Sequence, residues 1–98
     1  MKLQDALDNV KSLSDDKVIF ARKPWTLESE ADVGLLDFEF RVPVEVTNNG
    51  LDYFLEVSVA NDVLEVFGDR QPSVDEQRAL LMYYAENDAY PKWVYHSE

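Results

Sequence analysis

The chain has no cysteine among its 98 residues, which excludes a disulfide scaffold, a thiol nucleophile and a thiolate metal site. A small domain held by its core alone fits a reducing compartment. Three glycines and four prolines rule out a fibrous or low-complexity chain. They also cannot supply a phosphate loop or a dinucleotide fingerprint. The one histidine, His96, lies near the end with neither a cysteine nucleophile nor a serine elbow to act with. It reads as a solvent-exposed terminal side chain. No run approaches the roughly 20 apolar residues that cross a bilayer, and the first residues carry acids early with no apolar stretch of a signal peptide. A cytoplasmic protein is expected, with no cofactor and no enzymatic activity.

Base is scarce in one place above all. Between Lys23 and Arg70, Arg41 alone faces eleven carboxylates: Glu28, Glu30, Asp32, Asp37, Glu39, Glu45, Asp52, Glu56, Asp62, Glu65 and Asp69. That stretch holds most of the net charge of −11. It also holds Phe38, Phe40, Tyr53, Phe54 and Phe67, so it is not a solvated acidic tail. With 46% hydrophobic and 12% aromatic residues, the chain has material for a packed core. Its length suits one domain, 1–98. A folded acidic surface attracts basic partners and speeds their arrival, and it repels the phosphates of nucleic acids and anionic membranes.

Hydrophobic spacing predicts an α+β fold. Leu3, Ala6, Leu7, Val10 and Leu13 recur at helical spacing, so an N-terminal amphipathic helix is expected, broken at Ser14-Asp15-Asp16. Val18-Ile19-Phe20-Ala21 reads as a strand stopped by Lys23-Pro24. Residues 31–40 alternate weakly and end in Asp37-Phe38-Glu39-Phe40, which predicts a second strand with Phe38 and Phe40 facing the core. Pro43 and Thr47-Asn48-Asn49-Gly50 mark a connection, the Asn-Gly pair suiting a tight turn. Leu51–Val57 is the clearest strand, with Tyr53, Leu55 and Val57 on one face and Asp52, Phe54 and Glu56 on the other.

Residues 59–67 admit two readings. A hairpin could turn at Asn61-Asp62, but a helix ending at Gly68 separates polar from apolar residues better and is preferred. Ser73-Val74-Asp75-Glu76 is a capping box opening a helix to about Asn87, with Ala79, Leu80, Met82 and Tyr83 on its apolar face. The aromatic tail from Tyr90 to Tyr95 should pack back on the sheet. The expected architecture is an N-terminal helix, a small, mainly antiparallel sheet over 17–58, and one or two C-terminal helices on one face.

Few residues point to chemistry. Glu28, Glu30 and Asp32 would share one face of an extended segment and could ligate a hard cation, although the glycine and terminal glutamate of an EF-hand loop are missing. A solvated acidic edge explains them as well. Glu86-Asn87-Asp88 at a helix end opposes the helix dipole, and cap formation accounts for it. Trp25 and Trp93 each closely follow a proline. Such aromatics anchor interfaces or close small cores from the edge.

Three blocks stand out: Lys23-Pro24-Trp25 with Ser29-Glu30-Ala31, then Gly50-Leu51-Asp52-Tyr53-Phe54-Leu55-Glu56-Val57, then Tyr84-Ala85-Glu86-Asn87-Asp88-Ala89-Tyr90-Pro91-Lys92-Trp93. Through them the chain resembles a family of small acidic bacterial proteins of unassigned function. Proteins of this kind resemble in turn the immunity proteins encoded beside contact-dependent or other polymorphic toxins. The resemblance implies a bacterial, cytoplasmic setting and brings no assigned site residues.

The function expected is binding and neutralising a basic protein, a nuclease-type toxin domain above all. The partner-binding residues would be the acids Glu28, Glu30, Asp32, Asp37, Glu39, Asp52, Glu56, Asp62 and Glu65, with Trp25 and Tyr53 as aromatic anchors. No metal, direct nucleic-acid contact or membrane is called for. The alternatives are a nucleic-acid mimic that occupies a DNA-binding protein, a carboxylate-based cation-binding domain, and an accessory domain whose acidity serves solubility.

Overall fold

The central strand of the sheet, β1 (Val18–Ala21), is buried along its whole length. A computed structural model, which describes residues 1–95, shows why. β1 pairs antiparallel with β2 (Ala31–Gly34) on one side and β3 (Asp52–Glu56) on the other. Both faces of this three-stranded sheet are covered. Ile19 and Ala21 join the main core with the helices, whereas Val18 and Phe20 form a second cluster with Leu51, closed by Leu36, Val42 and Val46. An unbroken apolar run is what a strand buried on both faces requires.

The helices follow their sequence signals. α1 (Leu3–Asp8) buries Leu3, Ala6 and Leu7, and a 3₁₀ turn, Val10–Ser12, adds Val10. α3 (Val57–Leu64) runs where a helix was preferred to a hairpin, burying Val57, Ala60, Val63 and Leu64. A 3₁₀ turn, Glu65–Phe67, extends it to Gly68, whose φ is +58°. α4 (Val74–Asn87) opens on the expected box: the Glu76 N–H donates to Ser73 Oγ at 3.1 Å, and the Ser73 N–H donates to the Glu76 carboxylate at 2.9 Å. Its buried face centres on Leu80 and Leu81, whereas Ala79 and Tyr83, expected on the apolar face, are exposed. Between β2 and β3 a further helical turn, α2 (Val44–Asn48), forms where the sequence signals only a connection. α1 packs on β2 and α4, and α3 packs on α4.

Three expectations are corrected. The second strand stops at Gly34, and Phe38 and Phe40, expected in the core, are 92% and 84% exposed. The cause is local: one Asp37 carboxylate oxygen accepts the N–H groups of Glu39 and Arg41, at 2.8 and 2.9 Å, bending the chain into a turn. Asp side chains compete in this way with sheet ladders. In β3, Phe54 and Leu55 are both buried and Tyr53 is exposed, because Ile19 pairs with Leu55 while Phe20 pairs with Tyr53. Phe54 is the extra residue of a bulge, which re-aims side chains against strict alternation. The aromatic tail, expected on the sheet, meets helical elements: Val94 is buried in the main core, Trp93 lies by Phe67, and Tyr90 meets Tyr84. His96 lies outside the described residues.

Candidate functional site

The eleven carboxylates between Lys23 and Arg70 do not form one uniform sheet of charge. Glu28 sits in the turn after Trp25 and pairs with Lys2 at 3.0 Å. Glu30, just before β2, pairs with Arg22 at 3.2 Å, and the same guanidinium donates to the Asn49 carbonyl at 2.8 Å. Asp32 on β2 accepts the N–H of Val33. The three residues that could have shared a cation therefore each have a different partner. Among the described residues, no group of three or more acids or histidines is placed to hold a metal ion.

Asp37 and Glu39 both meet Arg41, which closes the turn they stand on. The N–H donated by Arg41 leads the effects that lower the Asp37 carboxyl pKa; desolvation pushes the other way, and the Glu39 N–H and the Arg41 charge add to the lowering. The one base of the acidic stretch is thus spent inside a turn.

Among the described residues no Lys or Arg pairs with Asp52, Glu56, Asp62 or Glu65, nor with Asp15 or Asp16 in the preceding loop. Asp52 and Glu56 bracket β3, with Tyr53 between them, 41% exposed. Partial burial raises the Tyr53 hydroxyl pKa, and the charge of Glu56 adds to it. Asp62 and Glu65 lie on the helical side, on α3 and the turn after it. Their charges contribute to the raised pKa of Tyr90, whose main cause is burial, followed by Tyr84 and Tyr95.

Trp25 belongs to the core edge. Its ring stands edge-on to Phe54, its indole N–H donates to the Ala21 carbonyl at 3.2 Å, and the Lys23 ammonium lies 5.1 Å from its centroid. The residues that sequence reasoning missed are Leu35, Phe38 and Phe40, which it assigned to a strand and its core. Asp37 followed two residues on by Glu39 and four on by Arg41 carried the turn signal that could have placed them.

One concavity gathers several of these groups. A groove of about 340 Å³ runs between the 15–18 segment and the 35–40 turn. Val18, Leu35 and Phe40 line it together with the acids Asp15, Asp16 and Glu56. Lys17 also lines it.

The fold and its surface thus define a small α+β domain with an acidic exterior and exposed aromatic rings. The chain belongs to the family described as a domain of unknown function, DUF7716, which matches residues 1–93. No curated protein and no solved structure matches it significantly. No helix among the described residues is long and apolar enough to cross a membrane.

Proposed function

We propose that this chain is an acidic protein-binding domain that neutralises a basic protein, with a cationic, nuclease-type bacterial toxin domain as the partner class. One observation carries the reading: Asp52, Glu56, Asp62 and Glu65 have no cationic partner among the described residues, and exposed rings stand beside two of them. Exposed ion pairs are worth only about 0–1 kcal/mol each. The carboxylates therefore serve to steer and orient the partner. Aromatic side chains that lose their water on contact supply the binding energy. The same negative field disfavours nucleic acid and anionic lipid as direct ligands.

Affinity capture with the intact chain at about 50 mM and about 500 mM salt tests this, since screening shortens the reach of exposed charges. The expected partner is basic, is captured more slowly and less fully at the higher salt, and binds more slowly to the Asp52→Asn/Glu56→Gln variant. If the partner is a toxin, co-expression of the chain restores growth. Partners that are acidic, or that are held equally at both salt concentrations, overturn the reading.

A further inference from the structure

We propose that the groove between the 15–18 segment and the 35–40 turn is the seat for a Lys- or Arg-rich segment of a partner protein that inserts an apolar side chain. This deepens the acidic-binding reading above and rests on it. The groove's lining mixes charged side chains with the apolar Val18, Leu35, Leu36 and Phe40, of which Leu35 is 48% exposed. Phe38 stands on the same turn with its ring in solvent. A volume of about 340 Å³ is at the small end of ligand sites, which suits one or two side chains rather than a folded domain.

The charged lining fixes the sign of the occupant. Asp15, Asp16 and Glu56 present carboxylates with no Lys or Arg partner among the described residues, against a single ammonium from Lys17. Asp37 also lines the groove, but its carboxylate is occupied by two backbone N–H groups and Arg41. A second copy of this chain, at a net charge of −11, meets repulsion here, and so does nucleic acid. A cationic segment is attracted.

The backbone of the turn that carries Phe40 is also held in shape before anything binds. The Asp37 N–H donates to the Arg41 carbonyl at 2.8 Å, and the Phe40 N–H donates to the Asp37 carbonyl at 2.9 Å. With the two bonds to the Asp37 carboxylate, four hydrogen bonds fix the turn that carries Phe38 and Phe40. A pre-ordered backbone loses less entropy on binding than a mobile one.

Selection of displayed twelve-residue random peptides on the intact protein tests the seat, with the Phe38→Ser/Phe40→Ser variant as counter-selection. Both rings are exposed, so the variant keeps the fold, and circular dichroism checks this. The expected peptides are rich in Lys or Arg, carry at least one large apolar residue, and lose about thirtyfold in affinity on the double-serine variant. Asp16→Asn/Glu56→Gln weakens them separately, by less at high salt. Basic peptides that bind the double-serine variant as tightly as the native chain overturn the groove and leave the acidic-partner reading standing. A selection without enrichment in Lys and Arg, or one that returns no binder, overturns the groove; acidic peptides overturn both readings.

Discussion

Trp25 and Phe54 pack edge to face, with ring centroids 4.9 Å apart and planes at 78°. The contact joins the loop after β1 to the bulged residue of β3. It explains why a tryptophan beside Lys23-Pro24 is half-buried rather than presented to a partner.

Trp25 is therefore a stability residue. Trp25→Ala removes ring packing and leaves the edge of Phe54 uncovered, so unfolding free energy should fall by about 2–3 kcal/mol. Trp25→Phe should lose less, since it keeps one aromatic ring against Phe54 while giving up part of the indole's bulk and the bond to the Ala21 carbonyl. Urea denaturation at constant m-value measures both. A cost below that of an ordinary surface substitution, about 0.5 kcal/mol, would remove Trp25 from the core.

Phe40 and Gly50 make opposite predictions from the same backbone region. Phe40 holds φ +62°, where an L side chain costs roughly 1–2 kcal/mol, and its exposed ring recovers none of this by burial. Phe40→Gly should raise stability by about 0.5 kcal/mol after the extra freedom of glycine in the unfolded chain is subtracted. Gly50 sits at φ +79°, and a Cβ there would run into the Arg22 guanidinium. Gly50→Ala should cost about 1–2 kcal/mol and disturb the Arg22 bond to Asn49. The two midpoints, measured side by side, should move in opposite directions.

Arg78 on α4 grips Asp8 at the end of α1 through two hydrogen bonds, 2.8 and 2.6 Å, across 70 residues of sequence. The bond to Arg78 is the main reason the Asp8 carboxyl lies below its ordinary pKa, against a smaller desolvation. Asp75 and Asp5 also face the guanidinium. Because the folded pKa is depressed, the Asp8 contribution is complete above the unfolded value of about 3.9. It is lost as the pH falls through the folded value. The stability difference between the native chain and Asp8→Asn should hold steady near neutrality and shrink below about pH 4. Taking the difference cancels the remaining carboxylates. An unchanged difference down to the acid limit would show the pair to be energetically idle.

How far the fold was legible depends on the range of the force involved. The capping box at Ser73 and Glu76, the apolar spacing of α1, and the sorted faces of α3 are local patterns, and each element appears where its pattern lies. The bulge at Phe54 was not legible, because it depends on how β1 and β3 settle against each other and on Trp25 arriving at that face. The Phe38–Phe40 error had a local remedy. Alternation suggested a strand, but the Asp37 side chain supplies the backbone with a competing set of hydrogen bonds.

The candidate site divides the same way. Which side chains carry charge, and the near absence of base between Lys23 and Arg70, follow from residue types alone. So do the amphipathic helices, since 3.6-residue periodicity is a property of neighbours along the chain. Only the tertiary structure decided that Lys2 and Arg22 would quench Glu28 and Glu30 while Glu56, which lines one groove with Phe40, has no cationic partner among the described residues. Pairing of charges distant in sequence is set by how the strands and loops bring them within a few ångströms, and Coulomb energy falls with that distance.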